Sequence, residues 1–201
     1  MFERALTERA ARLLGELRSR GLKVATAESC TGGLIAALLT EIPGSSDVVE
    51  RGFVTYSNEA KHDFLGVKTQ TLDTFGAVSK ETALAMATGA VKKAKTDLAV
   101  SITGIAGPGG ATPGKPVGLV HFAAAARDGR IIHREKRFGA VGRSAVRQSS
   151  VIEALKMLTE LARGPKPAKK TPALKSALAR GTHARATRKS RAATRRRPAR
   201  S

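Results

Sequence analysis

The sequence predicts a single α/β domain with three layers, in which helices cover both faces of a partly parallel, mixed sheet. Apolar runs of strand length alternate with stretches whose apolar residues recur every three or four positions. Two of these runs flank the turn Arg127–Arg130, which favours an antiparallel edge. The first 162 residues are also enough for one sizeable core. These three observations together favour a sheet that is covered on both sides.

The predicted elements follow one another from an N-terminal helix to a C-terminal helix. Apolar spacing predicts helices over residues 2–20, 34–39, 57–62, 79–93 and 142–161. Buried or alternating runs predict strands over residues 22–27, 51–56, 97–102, 117–125 and 130–138. Ser57 or Asn58 caps the third helix, because its side chain can accept from the free N–H groups of the first turn. Residues 104–118 are rich in Gly and Pro and form a long loop.

Charge divides the chain into a domain, residues 1–162, and a basic tail, residues 163–201. The tail carries 14 of the 36 Lys and Arg residues and no Asp or Glu. A segment so charged and so poor in apolar residues cannot offset the entropy of ordering it, so we expect disorder. Lys- and Arg-rich arms bind phosphate backbones through counterion release. A protein that binds nucleic acid or another polyanion through this tail is therefore one alternative function.

Other classes of protein are excluded by what the sequence lacks. Met1–Arg4 opens a polar stretch without the apolar region of a signal peptide, and no apolar run approaches the roughly 20 residues that cross a bilayer. Cys30 is the only cysteine, so there is no internal disulfide. The four histidines are scattered and show no metal-ligand spacing. We therefore expect a cytoplasmic protein with no membrane association, no metal and no cofactor.

Polar clusters follow three of the predicted strands. They are Glu28–Thr31, Tyr56–Asn58 together with Lys61, and Thr103–Gly110. Ligands collect at the carboxyl ends of strands in open α/β sheets, so we expect the three clusters to share one site. The glycine loop lacks the lysine of a P-loop and the spacing of a dinucleotide site. Its backbone can still hold one phosphate.

The first cluster has the composition of a nucleophile at a helix N-terminus. A strand that turns into a helix through Ser, Thr and paired Gly points free N–H groups outward, where they attract negative charge. A serine can be activated by a lysine that is buried enough to be neutral. Two alternatives remain at this point: a capped helix whose glycines serve only close packing, and a ligand-binding module without catalysis.

The polar motifs, taken in order, resemble those of the CinA C-terminal domain family, which includes stand-alone nicotinamide-nucleotide amidases. The resemblance covers residues from about 5 to 160. It implies hydrolysis of the carboxamide of nicotinamide mononucleotide to nicotinate mononucleotide and ammonia, in pyridine nucleotide salvage. We also expect a homo-oligomer. The motifs that carry the resemblance are Thr26–Gly33, Pro43–Ser46, Gly52–Lys61, Gly76–Ser79, Ser101–Pro108 and Lys115–Gly118.

The sequence departs from the family pattern in two places. Ala140–Arg143 stands where the family usually has Gly-Asp-Arg before the last helix, so one acidic residue is missing. The basic tail lies outside the pattern altogether.

Amide hydrolysis needs a nucleophile, a base and donors to the oxyanion, and the resemblance with this chemistry assigns those roles. Ser29 is the predicted nucleophile, and Lys61 the predicted general base and later proton donor to ammonia. Tyr56 is predicted to position or relay the proton within hydrogen-bond reach. Ser46, in a Gly-Ser-Ser turn that could instead bind phosphate, is the alternative nucleophile. Cys30 is the third choice.

The predicted substrate contacts surround this pair. The N–H groups of Thr31 and Gly32 are expected to hold the oxyanion. Thr103 and the loop Gly104–Gly110 are expected to contact phosphate or ribose, and Arg147 adds a charge partner. The other predicted substrate-binding residues are Glu28, Gly33, Ser45, Ser46, Asn58, Gly104 and Gly107.

Overall fold

Five strands form one mixed sheet in the order β2-β1-β3-β4-β5. Strand β1 pairs in parallel with β2 and β3, whereas β4 runs antiparallel to β3 and β5. The predicted sheet with an antiparallel edge is confirmed. In the computed structural model, which describes residues 2–164, the strands are β1 (Val24–Glu28), β2 (Val49–Val54), β3 (Leu98–Gly104), β4 (Leu119–Ala126) and β5 (Ile131–Arg137).

Helices cover both faces of the sheet and complete the predicted three layers. The helices of the described residues are α1 (Arg4–Ser19), α2 (Leu34–Thr40), α3 (Asn58–Leu65), α4 (Thr69–Phe75), α5 (Lys80–Ala94) and α6 (Arg143–Arg163), with a short 3-10 helix at Ser45–Asp47. One apolar cluster lies between the sheet and α1, α2 and α6. A second cluster lies between the opposite face and α3, α4 and α5.

Alternation along the strands sends side chains to the two cores in turn, and small residues line the α5 side. They let α5 approach the sheet closely, and the Ser101 hydroxyl on β3 donates to Ala83 O of α5 at 2.6 Å. Gly89 serves a second close approach, because a Cβ there would lie 2.1 Å from Leu65 O of α3. The close packing of α3 on α5 holds α3 beside the end of β1. The small residues are Ala25, Ala27, Ala99, Ala123 and Ala125.

The structure differs from the predicted elements by a few residues at several element ends and by one helix that was not predicted. Strand β2 ends at Val54, two residues earlier than predicted, because the chain turns there toward α3. Helix α4 was not predicted, and its pattern is weak because Leu72 is its only buried residue. Helix α6 extends to Arg163, one residue into the predicted tail. The rest of that tail, from residue 165 onward, lies outside the described residues.

Among the helices described for residues 2–164, none is long and apolar enough to cross a membrane.

Candidate active site

Ser29 directly follows β1, at the C-terminal end of the parallel strands. Its N–H donates to Ile102 O at 3.0 Å, which extends the pairing of β1 with β3 by one residue. The Gly32 N–H donates to Ser29 O at 3.0 Å and closes a turn that leads into α2. Gly32 and Gly33 have φ values of 59° and 92°, which residues with a Cβ rarely adopt. The paired glycines therefore make the turn from strand to helix possible.

Lys61 extends from α3 to the same point and is only 1% exposed. Its Nζ lies 3.2 Å from Ser29 Oγ. It also donates to three main-chain oxygens, Thr55 O at 2.9 Å and Tyr56 O and Ser57 O at 3.3 Å each. We call these three oxygens the carbonyl ring. Among the residues that the structure describes, the only side chain that hydrogen-bonds to the Lys61 amine is thus that of the predicted nucleophile.

The surroundings of Lys61 favour an amine that can exchange a proton with Ser29. Burial lowers the pKa of Lys61 from its ordinary value of 10.5, because the ammonium loses its water, and the carboxylate of Glu59 opposes part of this effect. A neutral amine donates two N–H bonds to the carbonyl ring and can accept from the serine hydroxyl with its lone pair. After taking the proton, the ammonium can donate to all three oxygens.

Cys30, the third choice of nucleophile, is buried beside the pair. Its side chain is 6% exposed, and burial raises the pKa of the thiol to about 12. Because the thiolate is the reactive form, this cysteine is held in its unreactive state. The geometry thus favours the neighbouring hydroxyl.

Arg143, at the start of α6, connects the second and third polar clusters. One guanidinium N–H group, Nη2, donates to the Tyr56 hydroxyl at 3.3 Å, and Nη1 donates to Gly107 O at 3.2 Å. The prediction omitted Arg143 from the site. The available signal was that Arg143 belongs to the segment Ala140–Arg143, which departs from the family pattern. That departure was interpreted only as the loss of an acidic residue.

The Tyr56 hydroxyl makes its hydrogen bond away from the Ser29–Lys61 pair, and its role as positioner or relay stays a prediction. The Tyr56 side chain is 62% exposed, and its hydroxyl contacts Arg143 rather than Ser29 or Lys61. Only its main-chain oxygen reaches the Lys61 amine. Asn58 is exposed at the first position of α3, on the same side of the sheet.

Three further residues predicted to bind substrate have structural partners instead. Thr103 is 1% exposed and donates to Ala77 O at 2.7 Å. Gly104 is crowded, because a Cβ there would lie 2.7 Å from Leu119 O. Glu28 is fully buried below the turn and faces α2. The hydrogen bonds of the Thr103 and Glu28 side chains are thus made within the protein, and their contact with substrate stays a prediction.

Ser45 and Ser46 lie at the opposite end of the parallel strands, where the strands begin. They precede β2, and the parallel register joins Val49 to Val24, the first residue of β1. The length of β1, at about 3.3 Å per residue, places them on the order of 17 Å from the end where Ser29 stands. Within one chain, the alternative nucleophile Ser46 is thus separated from Lys61.

Arg147 contacts the Ser29–Gly33 turn from α6. Its Nη2 donates to Thr31 O at 2.8 Å. Within the described residues, the buried Nε of Arg147 and the buried hydroxyl of Thr31 have no hydrogen-bond partner. The predicted charge partner of the substrate therefore holds the backbone that carries the nucleophile.

Over residues 2–164, no group of three or more His, Cys, Asp or Glu side chains is placed to hold a metal ion.

The fold and the site define a three-layer α/β protein with a buried serine–lysine pair at the carboxyl edge of its parallel strands. The chain belongs to the CinA C-terminal domain family, whose profile matches residues 6–162. The resemblance inferred from the motifs is thereby confirmed.

Relatives and solved structures match the chain over most of its length. It is 52% identical over 142 residues to a protein of Escherichia coli K12 named nicotinamide-nucleotide amidohydrolase PncC, covering 71% of this chain and 86% of that protein. The Enterobacter agglomerans protein of the same name is 46% identical over 155 residues, covering 77% and 94%. The crystal structure of the competence/damage inducible protein CihA from Agrobacterium tumefaciens superposes with a TM-score of 0.79 at 56% identity, covering 80% and 98%.

Proposed function

We propose that this chain is an amidohydrolase that converts nicotinamide mononucleotide to nicotinate mononucleotide and ammonia. Relatives named for this activity are about half identical to the chain and align with most of it. The observation that carries the proposal is the buried Lys61 amine, 3.2 Å from the hydroxyl of Ser29. A nucleophile within hydrogen-bond reach of a base is the arrangement that acyl transfer requires.

In the first half of the reaction, Ser29 Oγ attacks the carboxamide carbon while neutral Lys61 takes its proton. The carbonyl ring accepts the N–H groups of the ammonium that forms, so the new charge meets oriented dipoles. Collapse of the tetrahedral intermediate breaks the C–N bond. Lys61 returns its proton to the leaving nitrogen, which departs as ammonia and leaves an ester on Ser29.

In the second half, water attacks the ester and Lys61 acts again as base. The Ser29–acyl bond breaks and Lys61 returns the proton to the serine oxygen. Nicotinate mononucleotide leaves as a carboxylate, and its carboxyl proton passes to solvent. The residues that carry out both halves are the same two, so neither step requires a metal ion.

The hydrogen bonds of the turn distinguish between the two predicted oxyanion donors, the N–H groups of Thr31 and Gly32. Gly32, one of the two predicted donors, already gives its N–H to Ser29 O. The N–H of Thr31 has no hydrogen bond within the described residues and is the better candidate. Free main-chain N–H groups close to the nucleophile are common oxyanion donors.

Arg143 is the proposed partner of the substrate phosphate. Its guanidinium has five N–H groups, of which the contacts to Tyr56 and Gly107 occupy two. Arg143 is exposed, so its remaining N–H groups can make a charge-assisted bond to phosphate. Val54 is 52% exposed and lies against Gly33, where it offers an apolar wall to the pyridine ring.

Ammonia release from nicotinamide mononucleotide by the purified chain tests the proposal. We expect turnover without ATP, unaffected by EDTA. Ser29→Ala should lower kcat by roughly 10³-fold or more, whereas Ser46→Ala should retain kcat within about threefold. Loss of turnover in EDTA with recovery on adding a divalent ion would contradict the mechanism. A deficit in Ser46→Ala alone would move the nucleophile to Ser46.

We further propose that residues 163–201 bind nucleic acid or another polyanion weakly. The support is their composition, 14 basic residues and no acid. The predicted homo-oligomer is tested separately, by light scattering of the full chain.

A further inference from the structure

Glu28 is a fully buried carboxylate that the proposed reaction does not use. It is the last residue of β1, directly before the nucleophile, and is 0% exposed. One carboxylate oxygen accepts the N–H of Ala36 at 2.8 Å and the hydroxyl of Thr26 at 3.0 Å. The other accepts the N–H of Ile35 at 3.1 Å. Within the described residues, no Lys or Arg side chain pairs with it.

Burying this charge is costly, which calls for a role beyond stability. A carboxylate taken out of water without a cation loses more hydration energy than uncharged residues of similar shape would lose. The Glu28 oxygens accept N–H groups at the start of α2, and the first N–H groups of a helix have no partner inside the helix. The N-cap residue of α2, Gly33, has no side chain to cap them.

The hydrogen bonds of the Glu28 carboxylate connect the chain on the two sides of the nucleophile Ser29. They join the residue before Ser29 to the first turn of the helix that follows, across the two glycines with positive φ. Such glycines leave a turn free to adopt other conformations unless contacts hold it. Arg147 holds the same turn at Thr31 O from the other side.

We propose that Glu28 is a positioning residue, which fixes the Ser29–Gly33 turn so that the serine hydroxyl stays within reach of Lys61. The inference rests on the proposed function and identifies what sets the geometry of its site. Ser29 Oγ lies 3.2 Å from Lys61 Nζ, so a displacement of the turn by about 1 Å takes the hydroxyl out of hydrogen-bond range. A misplacement of about 1 Å can cost on the order of 10²-fold in rate.

The test compares Glu28→Gln with the matched control Thr26→Val. The amide of glutamine keeps the shape but presents N–H groups, so it cannot accept from both Ile35 and Ala36. Valine removes the third donor to the same carboxylate and leaves both helix contacts in place. We expect kcat to fall about 100-fold in Glu28→Gln with KM within about threefold. The kcat of Thr26→Val should stay within about threefold of the unsubstituted chain.

Hydrogen–deuterium exchange of the full chain provides a second measurement that needs no substrate. In Glu28→Gln, the amides of residues 29–36 should exchange at least about tenfold faster, while β3 and β4 keep their protection. Glu28→Asp, which keeps the charge but is one methylene shorter, should give the same pattern if the glutamine variant fails to fold.

Three results would overturn the inference: unchanged kcat in Glu28→Gln, an equal loss in Thr26→Val, or faster exchange throughout the domain. The last two would reduce Glu28 to a contributor to stability. Absence of ammonia release from the unsubstituted chain would instead overturn the proposed function, and the exchange measurement would still decide whether Glu28 orders the turn.

Discussion

Replacing Lys61 by methionine removes the proposed base while keeping an unbranched side chain of similar length. Lys61 is the only hydrogen-bond partner of the Ser29 hydroxyl within the described residues. General-base catalysis contributes typically 10²–10⁴-fold. We therefore expect kcat for ammonia release to fall about 10³-fold in Lys61→Met. Lys61→Arg should be as inactive, because a guanidinium keeps its proton at any working pH.

The pH dependence of the unsubstituted chain follows from the same residue. Neutral Lys61 is the active form, so kcat/KM should rise with pH through the pKa of Lys61, which burial places below 10.5. The contribution of Lys61 to the free energy of unfolding also increases with pH. Between the folded pKa and 10.5, the unfolded chain binds more protons, so the free energy of unfolding rises with pH over that interval.

Initial rates of ammonia release and denaturant unfolding, both measured from pH 6 to pH 10.5, check this reasoning. The methionine variant should fold and should lack the part of the alkaline rise in stability that Lys61 contributes. A methionine variant that keeps more than about a tenth of kcat at any pH would refute Lys61 as the base. So would an arginine variant with near-normal turnover.

Three further predictions concern other parts of the chain. Burial lowers the pKa values of His121 and His133 below 6.5, so stability should be lost as pH falls from above 6.5 through those values. His121→Phe should reduce that loss in urea unfolding at pH 7.5 and 5.5, and the exposed-site control His62→Gln should not. Arg143→Gln should raise KM about tenfold or more and keep kcat within about threefold, since it removes a charged hydrogen bond to phosphate; an unchanged KM would contradict this. Deleting residues 165–201 should leave kcat/KM within about twofold and remove most salt-dependent binding to DNA; unchanged DNA affinity would show that the tail is not the binding segment.

The convergence of Ser29 and Lys61 could be predicted because parallel strands end at one edge of a sheet. Both residues closely follow such strands, so chain order alone placed them together. The same argument accounts for Ser46, which precedes its strand and lies at the other edge. Ser46 is an alternative nucleophile because of its hydroxyl and its motif, and neither feature indicates at which end of the strands a residue lies.

Arg143 and Glu28 show what the sequence could not supply. Arg143 reaches Tyr56 across 87 positions of the chain, and no local pattern marks a contact of that range. Glu28 stands in a polar motif and was predicted to touch substrate. Its burial depends on α2 folding back over the end of β1, which is a tertiary event. The positioning role of Glu28 and the phosphate contact of Arg143 stay predictions.

The carbonyl ring around Lys61 is built from main-chain atoms, and this separates two functions that lie side by side. Exchanging the side chain at position 56 leaves its oxygen in place, provided that the backbone keeps its path. The phenol ring, by contrast, is exposed at the mouth of the site. Substitutions at position 56 can therefore probe the predicted proton relay by the Tyr56 hydroxyl while the carbonyl ring stays in place.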